Sequence, residues 1–191
     1  MGKIAVYDKA VKLIFLCHGF SLATILPHLP WIQRKLEIGD ALTGFALLFP
    51  AIGAVSMMLI TGNLIQRYSS KRLILVGGIL MQFCLPLLLL APSFTFLATI
   101  FFVFGGSTGM MDIAMNTQAA RIENIYQRPI MSSFHAVFSL GTLLGGGLTS
   151  LLLSLGWTPQ EHAGMIAIIL LLLIIACGPW LISKAKPSAK K

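Results

Sequence analysis

The sequence predicts an all-α integral membrane protein built from six transmembrane helices. Three observations carry that expectation. The 191 residues are 57% hydrophobic and only 10% charged, with a mean hydropathy of +0.88, more apolar surface than a soluble domain carries. The apolar residues gather in six runs, each near the roughly 20 residues that cross a bilayer as a helix. The basic residues sit at the ends of those runs, and nearly all of them fall on one side.

The runs cover about 11–30, 42–65, 73–90, 96–118, 131–155 and 164–183. Backbone groups in lipid must be satisfied internally, so each is a helix. The first follows Lys3, Lys9 and Lys12 and passes through Ser21-Leu22-Ala23, a weak signal-peptide cleavage pattern. The run continues through Ile25 and Leu29, which is span length, and it is read as an uncleaved first helix. Polar or turn-forming stretches separate the others: 31–40, 66–72, Ala91-Pro92-Ser93, 121–129 and 156–162. The expected organisation is a bundle over 1–183 and a basic tail over 184–191.

Orientation follows from the charges. Lys3, Lys9 and Lys12, then Arg67, Lys71 and Arg72, then Arg121 and Arg128, then Lys184, Lys186, Lys190 and Lys191 make twelve basic residues on one side. Arg34 and Lys35 alone lie on the other, beside Glu37 and Asp40. Both termini are expected to be cytoplasmic, in a multi-pass protein of the cell (inner) membrane.

The net charge of +8 does not indicate nucleic acid, because the cations flank spans instead of forming a face with interleaved aromatics. Cys17, Cys84 and Cys177 all lie inside apolar runs without metal-ligand spacing, and read as packing residues. No metal and no cofactor is expected.

Polar residues inside the spans point to function. Asp112 is an ionisable group in the apolar stretch 96–115, and a carboxylate at that depth reads first as a site for a proton, an ion or a substrate. Thr108, Asp112 and Asn116 share a helical face with Gly105 and Gly109. His18, Ser21, Thr24 and His28 form a stripe on the first helix, and Ser132, His135, Ser139 and Thr142 a stripe on the fifth. Helix three offers mainly Gln82 and helix six almost nothing polar. The first, fourth and fifth helices are therefore expected to face a wet interior, and the third and sixth to face lipid. Polar first helices and bare third helices in each triplet suggest two inverted three-helix repeats.

Plainer explanations compete. A serine or threonine in a membrane helix commonly bonds its own i−4 carbonyl, and Gly105/Gly109 and Gly141/Gly145 are small-xxx-small pairs that let helices approach. Gly105-Gly106-Ser107-Thr108-Gly109 also fits G-x-S-x-G, with His135 on the next helix. That motif belongs to a strand–turn–helix elbow, which a membrane helix does not supply, so an intramembrane serine protease is a remote alternative.

The segment Gly109-Met110-Met111-Asp112-Ile113-Ala114-Met115-Asn116, with Arg128-Pro129-Ile130-Met131-Ser132-Ser133-Phe134-His135 and Ser139-Leu140-Gly141, resembles the major facilitator superfamily. The resemblance is to its N-terminal six-helix half, in the bacterial branch related to fucose permease, and it spans essentially the whole chain. It implies transport of a small polar solute with protons as the coupling ion. It also implies that Asp112 and Asn116 lie at a central cavity, and that a second copy or a separate C-terminal half completes the transporter. A truncated or non-transporting scaffold is the alternative.

The superfamily's Gly-x-x-x-Asp-Arg-x-Gly-Arg-Lys loop is matched from Gly62, retaining Gly62, Arg67 and Lys71, with Arg72 directly after. The acidic position is Gln66, the second glycine is Ser69 and one basic position is Ser70. A latch that depends on that carboxylate is not expected here. The helix-four arginine of many proton-coupled members would fall near Phe101 or Phe102 and is absent. The proline of the antiporter signature is missing from 141–147, which disfavours export by antiport.

Overall fold

A computed structural model describes residues 2–183, with side chains from Ile4 onward. The basic tail predicted for 184–191 lies outside the described residues. Among the described residues, six helical segments are long and apolar enough to cross a membrane: Ile4–Leu36, Asp40–Tyr68, Ser70–Leu90, Phe94–Tyr126, Met131–Ser154 and Pro159–Trp180. We number them as spans one to six. Among the described residues there is no strand.

Span one is helical over Gly2–Thr24, turns tightly through Leu26–His28 and continues as Leu29–Leu36. Pro27 and Pro30 explain the break, since neither can donate to the helical ladder. The stretch 31–40, expected as a loop, is therefore largely helical. Span four runs on to Tyr126, past the loop expected from 121, and ends at Gln127 in the left-handed region (φ 52°). Span six starts at Pro159, earlier than expected. Thr158 and Glu161 form a reciprocal capping box there, each side chain accepting from the other's backbone amide.

The packing follows the two triplets. Span one lies along span five and span four along span two, so the first helix of each triplet packs on the second helix of the other. Span three packs on spans four and six. An odd number of spans per triplet inverts the second repeat relative to the first. Glycine makes both close pairs possible. A Cβ on Gly105 or Gly109 would overlap the main chain of Pro50 or Ala54, and one on Gly141 or Gly145 would overlap that of Leu16 or Phe20. Both small-xxx-small pairs are thus contact surfaces between helices.

Burial corrects the expectation for spans three and six. In the most apolar stretch of each span, 56% of residues are buried for spans one, three and four, 39% for span six, and only 17% and 11% for spans five and two. Span three is at the centre of the bundle, with Ile74, Met81, Leu85, Leu88 and Leu89 fully enclosed. It keeps one exposed apolar stripe. Spans two and five are the unburied pair, and they occupy equivalent positions in the two repeats.

Candidate functional site

Asp112 sits mid-span on span four, half-buried, beside Asn116 one turn on. The Asn116 amide donates to the Asp112 backbone carbonyl at 2.9 Å and to its carboxylate Oδ1 at 3.2 Å. Among the described residues no lysine or arginine pairs with Asp112; the one ion pair found is Lys12–Asp8 at 2.9 Å. His135 on span five is within electrostatic reach of the carboxyl. A carboxyl at this depth, without a fixed cation, can exchange its proton and can accept hydrogen bonds from a hydroxylated solute.

Ser132, His135 and Ser139 are all exposed along one stripe of span five, and the His135 ring meets Phe15 of span one edge-on at 5.7 Å. Thr108 is half-buried on the Asp112 face and donates to the Phe104 carbonyl at 3.0 Å, the self-satisfying arrangement of a membrane threonine.

The first-span stripe lies elsewhere. His18, Ser21, Thr24 and His28 are all buried inside the bundle. Ser21 donates to the Cys17 carbonyl at 2.8 Å and accepts from Gln82 of span three at 2.8 Å. Thr24 bonds the Phe20 carbonyl. His18 is enclosed against Phe138, their rings 5.7 Å apart. His28 meets His162 of span six, Nε2 to Nδ1 at 3.2 Å, with both residues fully buried. This stripe therefore joins span one to spans three and six, the helices expected to be bare. A helical wheel gives a common face but not what that face meets.

Three further polar residues were not anticipated. Gln118, fully buried, donates to Ser70 Oγ at 3.0 Å and to the Ile182 carbonyl at 2.8 Å, and accepts from the Ile182 amide at 3.0 Å. It ties span four to the start of span three and the end of span six. Glu123 Oε2 accepts from the Ile130 and Met131 amides at 2.8 and 2.7 Å, capping span five with a carboxylate where the helix dipole favours one. His162 lies two residues before the start expected for span six, inside the helix Pro159–Cys177. The Thr158-x-x-Glu161 capping pattern was the signal that places it inside the helix.

The loop motif adopts a specific turn. Ser69 has φ 87° and ψ 147°, backbone that favours glycine, and the family motif has glycine at this position. Its amide closes span two on the Ile65 carbonyl at 3.0 Å. Gly62 is exposed, with nothing near the position a Cβ would take. Ser107, the serine of the G-x-S-x-G pattern, is buried and donates to the Val103 carbonyl at 2.8 Å within a continuous helix.

Comparison with known sequences agrees with this architecture. The family model described as Major Facilitator Superfamily matches residues 12–191. An uncharacterised MFS-type transporter of Yersinia pestis is 32% identical over 169 residues, 88% of this chain and 44% of that protein. An uncharacterised transporter of Sinorhizobium fredii is 35% identical over 137 residues, 72% of this chain and 36% of that protein. Membrane protein MosC of Rhizobium meliloti is 30% identical over 173 residues, 90% and 41% of the two lengths. The chain spans less than half the length of each curated relative it matches.

Proposed function

The chain belongs to the major facilitator superfamily, a family of membrane transporters and not of enzymes, and on that premise we propose that it forms one half of a proton-coupled carrier for a small polar solute. A sugar-like solute fits best, in keeping with the resemblance to the fucose permease branch around Asp112 and Asn116. The observation that carries the reading is the pairing of Asp112 with Asn116 on span four, within electrostatic reach of His135 on span five, with no lysine or arginine among the described residues to fix the carboxylate's charge. Asp112 takes up and releases a proton between the two access states. Asn116, His135, Ser139 and Ser132 supply hydrogen bonds to the solute, with Thr108 on the same face. His18 and Ser21 contribute through packing.

Two features support a partner. The polar stripe Ser132, His135 and Ser139 on span five is exposed, which lipid does not cover cheaply, and the chain covers under half of its curated relatives. A second copy or a separate C-terminal half completes the carrier. The test is uptake of a panel of labelled sugars and related polar metabolites into vesicles holding this chain with its second half. Uptake that a protonophore collapses is the expected result. No uptake of any solute, with both halves folded, would favour the scaffold reading.

Both termini are assigned to the cytoplasm and the protein to the cell inner membrane, from the twelve-to-two distribution of basic residues. A cysteine at Gly39 is expected to react with an impermeant thiol reagent on intact cells, and one at Ser188 is not. The reverse pattern would invert the orientation.

A further inference from the structure

The turn between spans two and three closes a cavity of about 400 Å3 lined by Arg67, Tyr68, Ser69, Lys71, Arg72 and Ser183. Three cations share this small volume, and among the described residues no carboxylate lines it. The six acidic residues of the chain are all accounted for elsewhere. Asp8 pairs with Lys12. Glu37 and Asp40 lie at the opposite end of the bundle, where Gln33 donates to Asp40. Asp112 is mid-span, Glu123 caps span five, and Glu161 is held in its capping box. Gln66 occupies the position beside Arg67 where the family motif has an aspartate. Like charges gathered together with no counter-ion among the described residues repel one another, so the cavity favours an anion. The first turn of span three, which opens at Ser70 against the same cavity, adds the positive end of a helix.

A second observation identifies the kind of anion. The exposed stripe of span three starts at Arg72 and continues one turn at a time through Val76, Leu80 and Phe83, which are 47%, 40% and 58% exposed. A charged cavity at the end of a span, continuous with an apolar track into the membrane, matches a phosphate headgroup followed by acyl chains. Arg67 stacks over Tyr68 with 5.2 Å between guanidinium carbon and ring centroid, which holds a planar fork at the cavity mouth for bidentate contact with phosphate oxygens.

We propose that this cavity binds the phosphodiester headgroup of one anionic phospholipid, whose acyl chain lies along Val76, Leu80 and Phe83. The site is separate from the Asp112 face and does not depend on the transport reading. The experiment titrates the purified full chain in a neutral detergent with phosphatidylglycerol or phosphatidylcholine of the same chain length, and counts retained lipid by native mass spectrometry. One retained phosphatidylglycerol per chain is expected, with phosphatidylcholine held no better than background. R67Q/R72Q should weaken retention about tenfold or more, at about 1 kcal/mol for each cation near the headgroup. K9Q/R128Q, which removes the same charge elsewhere on that side, should change it by less than about twofold. If R67Q/R72Q does not keep its helical circular dichroism, Lys71→Gln alone should weaken retention about fivefold. Equal retention of phosphatidylcholine would overturn the proposal. So would displacement by inorganic phosphate at matched concentration, or an equal loss in K9Q/R128Q.

Discussion

Gly105→Ala is expected to destabilise the folded chain by about 2–3 kcal/mol, and Gly141→Ala by a similar amount. The two sites lie in the two equivalent contacts between the repeats, span four with span two and span five with span one, and both glycines belong to the second repeat. At each, the added methyl would overlap main-chain atoms, of Pro50 and Leu16 respectively. Backbone does not swing aside as a flexible side-chain end does, so the helices must separate along their length and lose packing that water cannot replace in lipid. The sites lie in different interfaces, so the double variant should cost about the sum. That is a large share of the roughly 5–15 kcal/mol that holds a typical domain folded. Gly147, with nothing near the place of its Cβ, is the control, and Gly147→Ala should be neutral or stabilising by up to about 1 kcal/mol. Unfolding in detergent followed by circular dichroism measures all three. A Gly105→Ala chain as stable as Gly147→Ala would remove the account of how the repeats interlock.

The largest functional effect is expected at Asp112. Asparagine at this position keeps the shape of the side chain and its capacity to bond Asn116, and loses only the titrating proton. A carrier that moves one proton with each solute can draw about 2.3 kcal/mol from each 100 mV of membrane potential, enough for roughly fiftyfold accumulation. Asp112→Asn should bring the accumulation ratio down to about one, while exchange of solute between the two sides of the membrane continues. Asn116→Ala should act differently. It removes hydrogen bonds and no proton, so the solute KM should rise about two- to tenfold with coupling retained. Full accumulation by the Asp112→Asn form would leave Asp112 as a structural carboxylate.

Composition and segment length were enough to read six spans, because the bilayer sets a length that few other environments demand. Both glycine pairs were legible as helix contacts for a similar reason: residues four apart on one face with no side chain have few uses in lipid. The burial order of the spans was not legible. Span three looks bare in sequence because its core positions are leucine, isoleucine and methionine, which read the same whether they face lipid or the bundle interior. The first-span stripe misled in the opposite way. Ser21 and His28 are polar because they bond Gln82 and His162 across the bundle, and periodicity cannot separate an internal polar contact from a wet cavity. Asp112 stood out from sequence alone, since a lone carboxylate in a span has few structural explanations. The roles of Gln118 and Glu123 needed the fold, because their partners include backbone groups up to 64 residues away.

The most direct test of Asp112 as the proton carrier is the movement of the proton itself. In de-energised vesicles holding the complete carrier, addition of a transported solute outside should make the external medium transiently alkaline, as protons enter with it. The Asp112→Asn form should take up solute down its gradient with no alkaline shift. An alkaline shift of equal size in both forms would contradict the account and move the proton to another group.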